Sequence, residues 1–98
     1  MPKRYVLLVA DAAITQPERK ALQSVIERRH PGDRVIEVQG NPRAVIVKTT
    51  NEVAPSFRTT EGAPTVGGKR LTAVLTSGAV GNLKRRAAEA ATNGQVHE

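Results

Sequence analysis

The chain has 98 residues, and its 15 Lys and Arg against nine Asp and Glu give a formal net charge of +6. It contains no cysteine, which excludes disulfide bonds and thiolate chemistry, and no apolar run approaches the ~18 residues of a membrane-spanning helix. This length supports one domain with one two-layer core, and the excess of basic residues predicts a polyanionic partner, nucleic acid above all.

The first predicted elements are a strand and a capped helix. Residues 4–10 form a nearly continuous apolar run, which is typical of a central strand covered on both faces. Thr15 and Glu18 have the spacing of a capping box, so a helix is expected to begin here. A Pro-Gly turn predicts its end near Arg29.

Two β-branched runs, residues 34–39 and 43–49, predict a hairpin because the connection between them contains Gly and Pro. Residues 51–58 predict one or two helical turns capped by Asn51. The side chains expected to face inward from these turns are Val53, Ala54 and Phe57. Glycines and a proline predict a loop over residues 59–69, since they interrupt any regular element.

The last two elements are a strand over residues 71–76 and a helix over residues 79–91. Gly94 can adopt the left-handed conformation that ends a helix, so we expect the helix to stop there. The chain is therefore predicted to be a single α+β domain over residues 1–94, with a frayed tail over residues 95–98.

The resulting order is β-α-β-β-short α-β-α. About 20 residues separate the third and fourth strands, which favours an antiparallel-dominated sheet with its helices on one face. The predicted fold is therefore a variant of the ferredoxin-like two-layer α+β sandwich.

The junction between the last strand and the last helix carries the strongest functional signal. A hydroxyl and two glycines at this point leave backbone N–H groups open to an anion, and the helix dipole favours phosphate. Three consecutive cations follow, and they fan over about 200° of the helix, so they cannot all face one phosphate. The predicted phosphate-binding residues are Ser77, Gly78, Gly81, Lys84, Arg85 and Arg86. The alternative is an ordinary capped helix with a solvated basic face and Ser77 as N-cap.

Lys48, on the predicted third strand, is a further candidate contact if the open face of the sheet is exposed. Tyr5 and Phe57 are the only aromatic residues. Their scarcity argues against the aromatic stacking platform of many single-strand binders. We therefore expect structured RNA to be recognised through its shape and phosphates.

No nucleophile with a neighbouring base, no carboxylate pair and no metal-ligand spacing stands out, so we expect a non-catalytic protein without metal or cofactor. His30 and His97 are too far apart in sequence to suggest a metal site. The N-terminus lacks the apolar region of a signal peptide, which predicts a cytoplasmic protein that does not associate with membranes.

Three blocks of the sequence carry a resemblance to a known family. They are Arg4-Tyr5-Val6-Leu7, Ala44-Val45-Ile46-Val47-Lys48 and the run from Leu71 through Arg86. Together they resemble the small ferredoxin-like protein subunits of archaeal and eukaryotic ribonuclease P. The resemblance implies a ribonucleoprotein subunit that binds the catalytic RNA in precursor-tRNA 5′ processing, alongside a partner protein. The chain departs from the family where a stretch interrupted by Pro55 replaces the long second helix.

Two other classes of function remain open. The first is a protein-interaction module, such as the propeptide-like inhibitors of subtilases, in which the sheet and an extended C-terminal segment meet a protein. The second is a binder of small anions or nucleotides, which requires a concave pocket beside Gly78.

Overall fold

The computed structural model describes residues 3–38, 40–59 and 62–97, with the backbone alone for residues 89–97. In chain order its elements are β1 (Lys3–Ala10), α1 (Gln16–Arg29), β2 (Arg34–Glu37), β3 (Ala44–Thr50), a 3₁₀ turn (Ala54–Arg58), β4 (Thr65–Val66), β5 (Lys69–Ser77) and α2 (Val80–His97). The strands form one sheet in the order β2-β3-β1-β5-β4, and every pair is antiparallel. The described residues therefore form a mixed α+β fold with a five-stranded antiparallel sheet and two α-helices.

The capping box at the start of α1 is confirmed. The Glu18 N–H donates to Thr15 Oγ1 (3.3 Å), and the Thr15 N–H donates to Glu18 Oε1 (2.9 Å). Lys69 Nζ donates to the same carboxylate oxygen at 2.7 Å, and this hydrogen bond is the main reason why the pKa of Glu18 lies below its ordinary value. Gly67 leaves room for the carboxylate, since a Cβ at that position would collide with it. These contacts tie α1 to the β4–β5 hairpin.

The segment between β3 and β5 contains more regular secondary structure than the sequence predicts. The 3₁₀ turn buries Ala54 and Phe57 as expected, but Val53 and not Asn51 precedes its first residue. The predicted loop over residues 59–69 contains β4, which is too short for periodicity to indicate.

At the other end of the chain, α2 continues through Gly94 to His97, so the predicted helix end is wrong. Gln39 and Glu98, included in the predicted second strand and tail, lie outside the described residues.

The two helices lie on opposite faces of the sheet, which corrects the prediction that they share one. On the α1 face, Leu22 and Ile26 of α1 and Phe57 of the 3₁₀ turn pack against the strands. On the α2 face, Leu83 and Ala87 pack against a second buried cluster. The physical reason lies in the central strands, whose consecutive buried residues are apolar on both sides, so that each face requires a cover.

A β-bulge at Val74 decides which way the end of β5 faces. The pairs that flank it are Leu7 with Leu75 and Leu8 with Ala73. Val74 is the extra residue between these pairs, and it is 54% exposed. Ala73 therefore packs against the α1-face cluster and Leu75 against the α2-face cluster, although the two are separated by two positions. The same reversal puts Ser77 on the α2 face.

Deletion of Val74 is expected to leave the fold intact, because this residue has no partner in the ladder between β1 and β5. Leu71→Ala is the matched variant, because it removes a fully buried side chain from the same strand. Such a loss typically costs about 2–5 kcal/mol. Thermal unfolding followed by circular dichroism measures both variants, and equal destabilisation would contradict the bulge.

Candidate functional site

Two residues separate the end of β5 from the start of α2. The connection consists of Gly78 and Ala79, and both are exposed. Ser77 Oγ accepts a hydrogen bond from the Ala79 N–H at 3.1 Å, so the hydroxyl closes the turn before the helix instead of capping its first turn. Within the described part of the chain, no side chain accepts a hydrogen bond from the N–H groups of residues 80–82. These first-turn donors also lack partners inside the helix, so they remain open to an anion.

A groove of about 390 Å³ lies between the end of β5 and the first turns of α2. Its lining residues are Leu75, Thr76, Ser77, Asn82, Arg85 and Arg86. Beyond Arg70, β5 pairs with β1 on one side and with no described strand on the other, so the groove follows a free strand edge. Arg85 Nη2 donates to Asn82 Oδ1 at 3.4 Å, which keeps the guanidinium beside the groove. The structure thus brings Ser77, Arg85 and Arg86 together.

Two arginines that sequence reasoning missed reach the same corner from the α1 face. A Cβ at Gly78 would lie 2.8 Å from Arg4 Nη1, so the missing side chain lets this guanidinium rest against the turn. Arg58 Nη2 donates to Thr76 Oγ1 at 3.5 Å. Neither arginine belongs to the strand-turn-helix motif, and only the pairing of β1 with β5 and the position of the 3₁₀ turn bring them close to it.

Gly81 and Lys84, two of the predicted phosphate-binding residues, do not line the groove. A Cβ at Gly81 would meet no atom within 4 Å, and its φ is not positive, so the fold does not require glycine there. Lys84 is exposed, but it does not line the groove. Residues two apart on a helix project about 200° from each other, which separates Lys84 from Arg86. The structure therefore does not bring Lys84 to the groove.

Lys48 lies on the same face of the sheet as Ser77. Lys48 pairs with Tyr5, Tyr5 pairs with Ser77, and on its other side Lys48 pairs with Arg34. Directly paired residues share a face, so these four form a row across four strands, with a length of roughly 15 Å. We call it the cross-strand row. Among the described strands, no acidic residue points to this face.

The positive charge around Lys48 is not balanced by a neighbouring acid on this face. Lys3, two residues before Tyr5 on β1, projects on the same side. A hydrogen bond with the Lys3 amine lowers the pKa of Lys48, since one of the two nitrogens must be uncharged to accept it. Repulsion from Lys3, partial burial and the charge of Arg34 act in the same direction. A bound anion would favour the charged form instead.

Comparison with known proteins does not assign a function to this surface. No protein-family model matches the chain, and no curated protein matches it at a significant level. Over the described residues, no helix is long and apolar enough to cross a membrane, and no group of three or more His, Asp and Glu side chains is placed to hold a metal ion. What the surface binds must therefore be inferred from its own residues.

Gly81→Ala is expected to raise the free energy of unfolding by about 0.5–1 kcal/mol, because Ala is the better helix former and the space is open. For a domain of this size, 1 kcal/mol corresponds to a shift in Tm of about 4–8 °C. The matched variant Gly78→Ala must displace the Arg4 guanidinium and lies outside the helix, so its Tm should not rise. Calorimetry measures the Tm of both variants. A lower Tm for Gly81→Ala would contradict the finding that a side chain at this position meets no other atom.

Proposed function

We propose that this protein is a basic, non-catalytic RNA-binding domain that contacts the phosphates of a structured RNA. The groove and the cross-strand row would together form the contact surface. The observation that carries the proposal is the pairing of Tyr5 with both Lys48 and Ser77. This pairing joins two groups of cations that are distant in sequence into one surface on one face of the sheet.

The chemistry of this surface suits phosphodiester groups. Arg85 and Arg86 present planar guanidinium groups, which bind phosphate oxygens through paired hydrogen bonds. Gly78 has no side chain and Ala79 has only a methyl group, so a phosphate can approach the open N–H groups at the start of α2. Cations spread over roughly 15 Å favour a polyanion over a single phosphate, because each additional phosphate contact releases further counterions.

The proposal extends to a ribonucleoprotein subunit of the ribonuclease P type, acting in precursor-tRNA processing in the cytoplasm. The three resembling blocks support it, and so does the antiparallel placement of β3 between β1 and β2, which is a split β-α-β arrangement. A partner protein is proposed on the resemblance alone. The short 3₁₀ turn and the position of α2 on the opposite face differ from the two-layer fold that the resemblance implies.

The groove also gives a specific reason to consider a binder of small anions or nucleotides, since it is concave and adjoins Gly78. The protease-propeptide-like alternative has less support. It requires an extended C-terminal segment, whereas the backbone is helical from Val80 to His97. Stabilisation by millimolar phosphate or nucleotide, without binding to RNA, would favour the small-anion class.

The double variant Arg85→Gln/Arg86→Gln is expected to weaken binding to a precursor-tRNA transcript and to reduce its dependence on salt. Each phosphate contact contributes about 0.7–0.9 to the slope of log K against log salt concentration. Loss of both arginines should therefore lower the slope by about 1.4–1.8 if each holds one phosphate. Fluorescence anisotropy at several salt concentrations measures both quantities.

Lys84→Gln is the matched control, since it removes a cation from the same helix outside the groove. We expect a smaller loss of affinity than for either Arg85→Gln or Arg86→Gln alone. Equal effects of the three single variants would show that the charge acts generically and that the groove is not a site. Absence of binding to the transcript at low salt would reject the proposed function itself.

A further inference from the structure

Among the Phe, Tyr and Trp side chains of the described residues, Tyr5 is the one that is partly exposed, because Phe57 is buried in the α1-face core. Tyr5 packs at the margin of the α2-face cluster. Leu83 and Ala87 of α2 belong to the buried part of this cluster. No hydrogen bond of the Tyr5 hydroxyl occurs among the described residues, and none of their buried side-chain polar atoms lacks a partner. The hydroxyl end of the ring therefore meets solvent.

Cations flank Tyr5 on both sides of its strand. Lys48 is its direct partner on β3, with Lys3 and Arg34 beside it. Ser77 is its direct partner on β5, and beyond it lie the low β5–α2 turn and the groove with its two arginines. An aromatic ring between two groups of basic residues matches the layout of a nucleotide, whose base lies between two phosphates along the chain.

We infer that Tyr5 stacks on one unpaired base of the RNA, while the Lys48 side and the groove side of the cross-strand row hold the two flanking phosphates. The inference rests on the proposed function and narrows its ligand to a folded RNA with an exposed, unpaired nucleotide in a loop or bulge. Bases of a continuous A-form duplex are stacked on one another and do not offer a free face to a side chain.

The scarcity of aromatic residues in the sequence is compatible with this geometry. A platform that stacks two or three bases needs several exposed rings, whereas one base needs one ring. Because every base has a π-face, such a contact selects unpaired nucleotides without selecting a sequence. Tyr5 would thus distinguish loop from duplex, while the cations on either side would bind both.

The single tyrosine of the chain allows a direct test. Full-length protein labelled with 3-fluorotyrosine gives one ¹⁹F signal, which reports on Tyr5 alone. Three probes are titrated: an RNA hairpin with an unpaired loop, a blunt RNA duplex of equal phosphate count, and inorganic polyphosphate, which has no bases. We expect the hairpin to shift the signal through the ring current of a stacked base, whereas the duplex and polyphosphate leave it nearly unmoved.

Affinity of two variants supplies the second measurement. Tyr5→Leu should bind the hairpin on the order of tenfold more weakly, which corresponds to about 1.4 kcal/mol and is typical of losing one base stacked on an aromatic residue. Tyr5→Phe keeps the ring and should bind like the unsubstituted protein. For Tyr5→Leu we expect affinity for the duplex to fall less than affinity for the hairpin, because the duplex offers no free base to the ring. Melting temperatures of both variants serve as the control for folding.

The possible outcomes separate the inference from the function on which it rests. If hairpin and duplex bind equally, the ¹⁹F signal stays in place and the groove variants weaken both, the stacking inference is overturned and the proposed function stands. An equal shift with polyphosphate also overturns stacking, because charge alone would explain it. Failure of every RNA to bind overturns both.

Discussion

Burial of β1 on both faces is the constraint on which the rest of the structure depends. Val6 and Leu8 point to the α1 face, Leu7 points to the α2 face, and all three are buried. A strand that is apolar on both sides must lie inside the sheet and must be covered from both sides. This requirement accounts for the pairing of β1 with both β3 and β5 and for the helices on opposite faces. It also brings the start of β1 between Lys48 and the β5–α2 turn.

Elements whose signals are local could be predicted from the sequence, and those decided by pairing could not. Thr15 and Glu18 define the start of α1 through contacts over three residues, so the pattern alone was sufficient. The Val74 bulge leaves no comparable trace, because an apolar run reads the same with or without an extra residue. The prediction that both helices share one face is wrong for a related reason. The apolar pattern of β1 indicates burial on both sides, and helices on one side alone leave the other side uncovered.

The candidate site likewise combines residues that a local sequence signal indicates with residues that only strand pairing brings together. The strand-turn-helix motif indicated Ser77 and the cations of α2, and the structure gathers Ser77, Arg85 and Arg86 around one groove. Arg4 and Arg58 reach this corner only through the tertiary fold. The position of Lys48 relative to the motif depends on the order of the strands, since Tyr5 must lie between them. A sequence pattern can therefore indicate which residues suit phosphate, whereas the sheet decides which of them act together.

Register is the remaining determinant of the surface. A slip of one residue between β1 and β3 would separate Tyr5 from Lys48, and the apolar pattern opposes it weakly because both faces are apolar. Polar contacts at the end of this pair oppose it more strongly. Arg4 Nε donates to Asn51 Oδ1 at 3.0 Å, and a slip between β1 and β3 would break this contact. The buried Thr49 Oγ1 donates to Asp33 Oδ2 at 2.7 Å and acts on the neighbouring pair, β2 with β3. A slip there would leave both buried polar groups without partners, which is costly. The hydrogen bonds that define the register of the core thus also hold the basic surface in its arrangement.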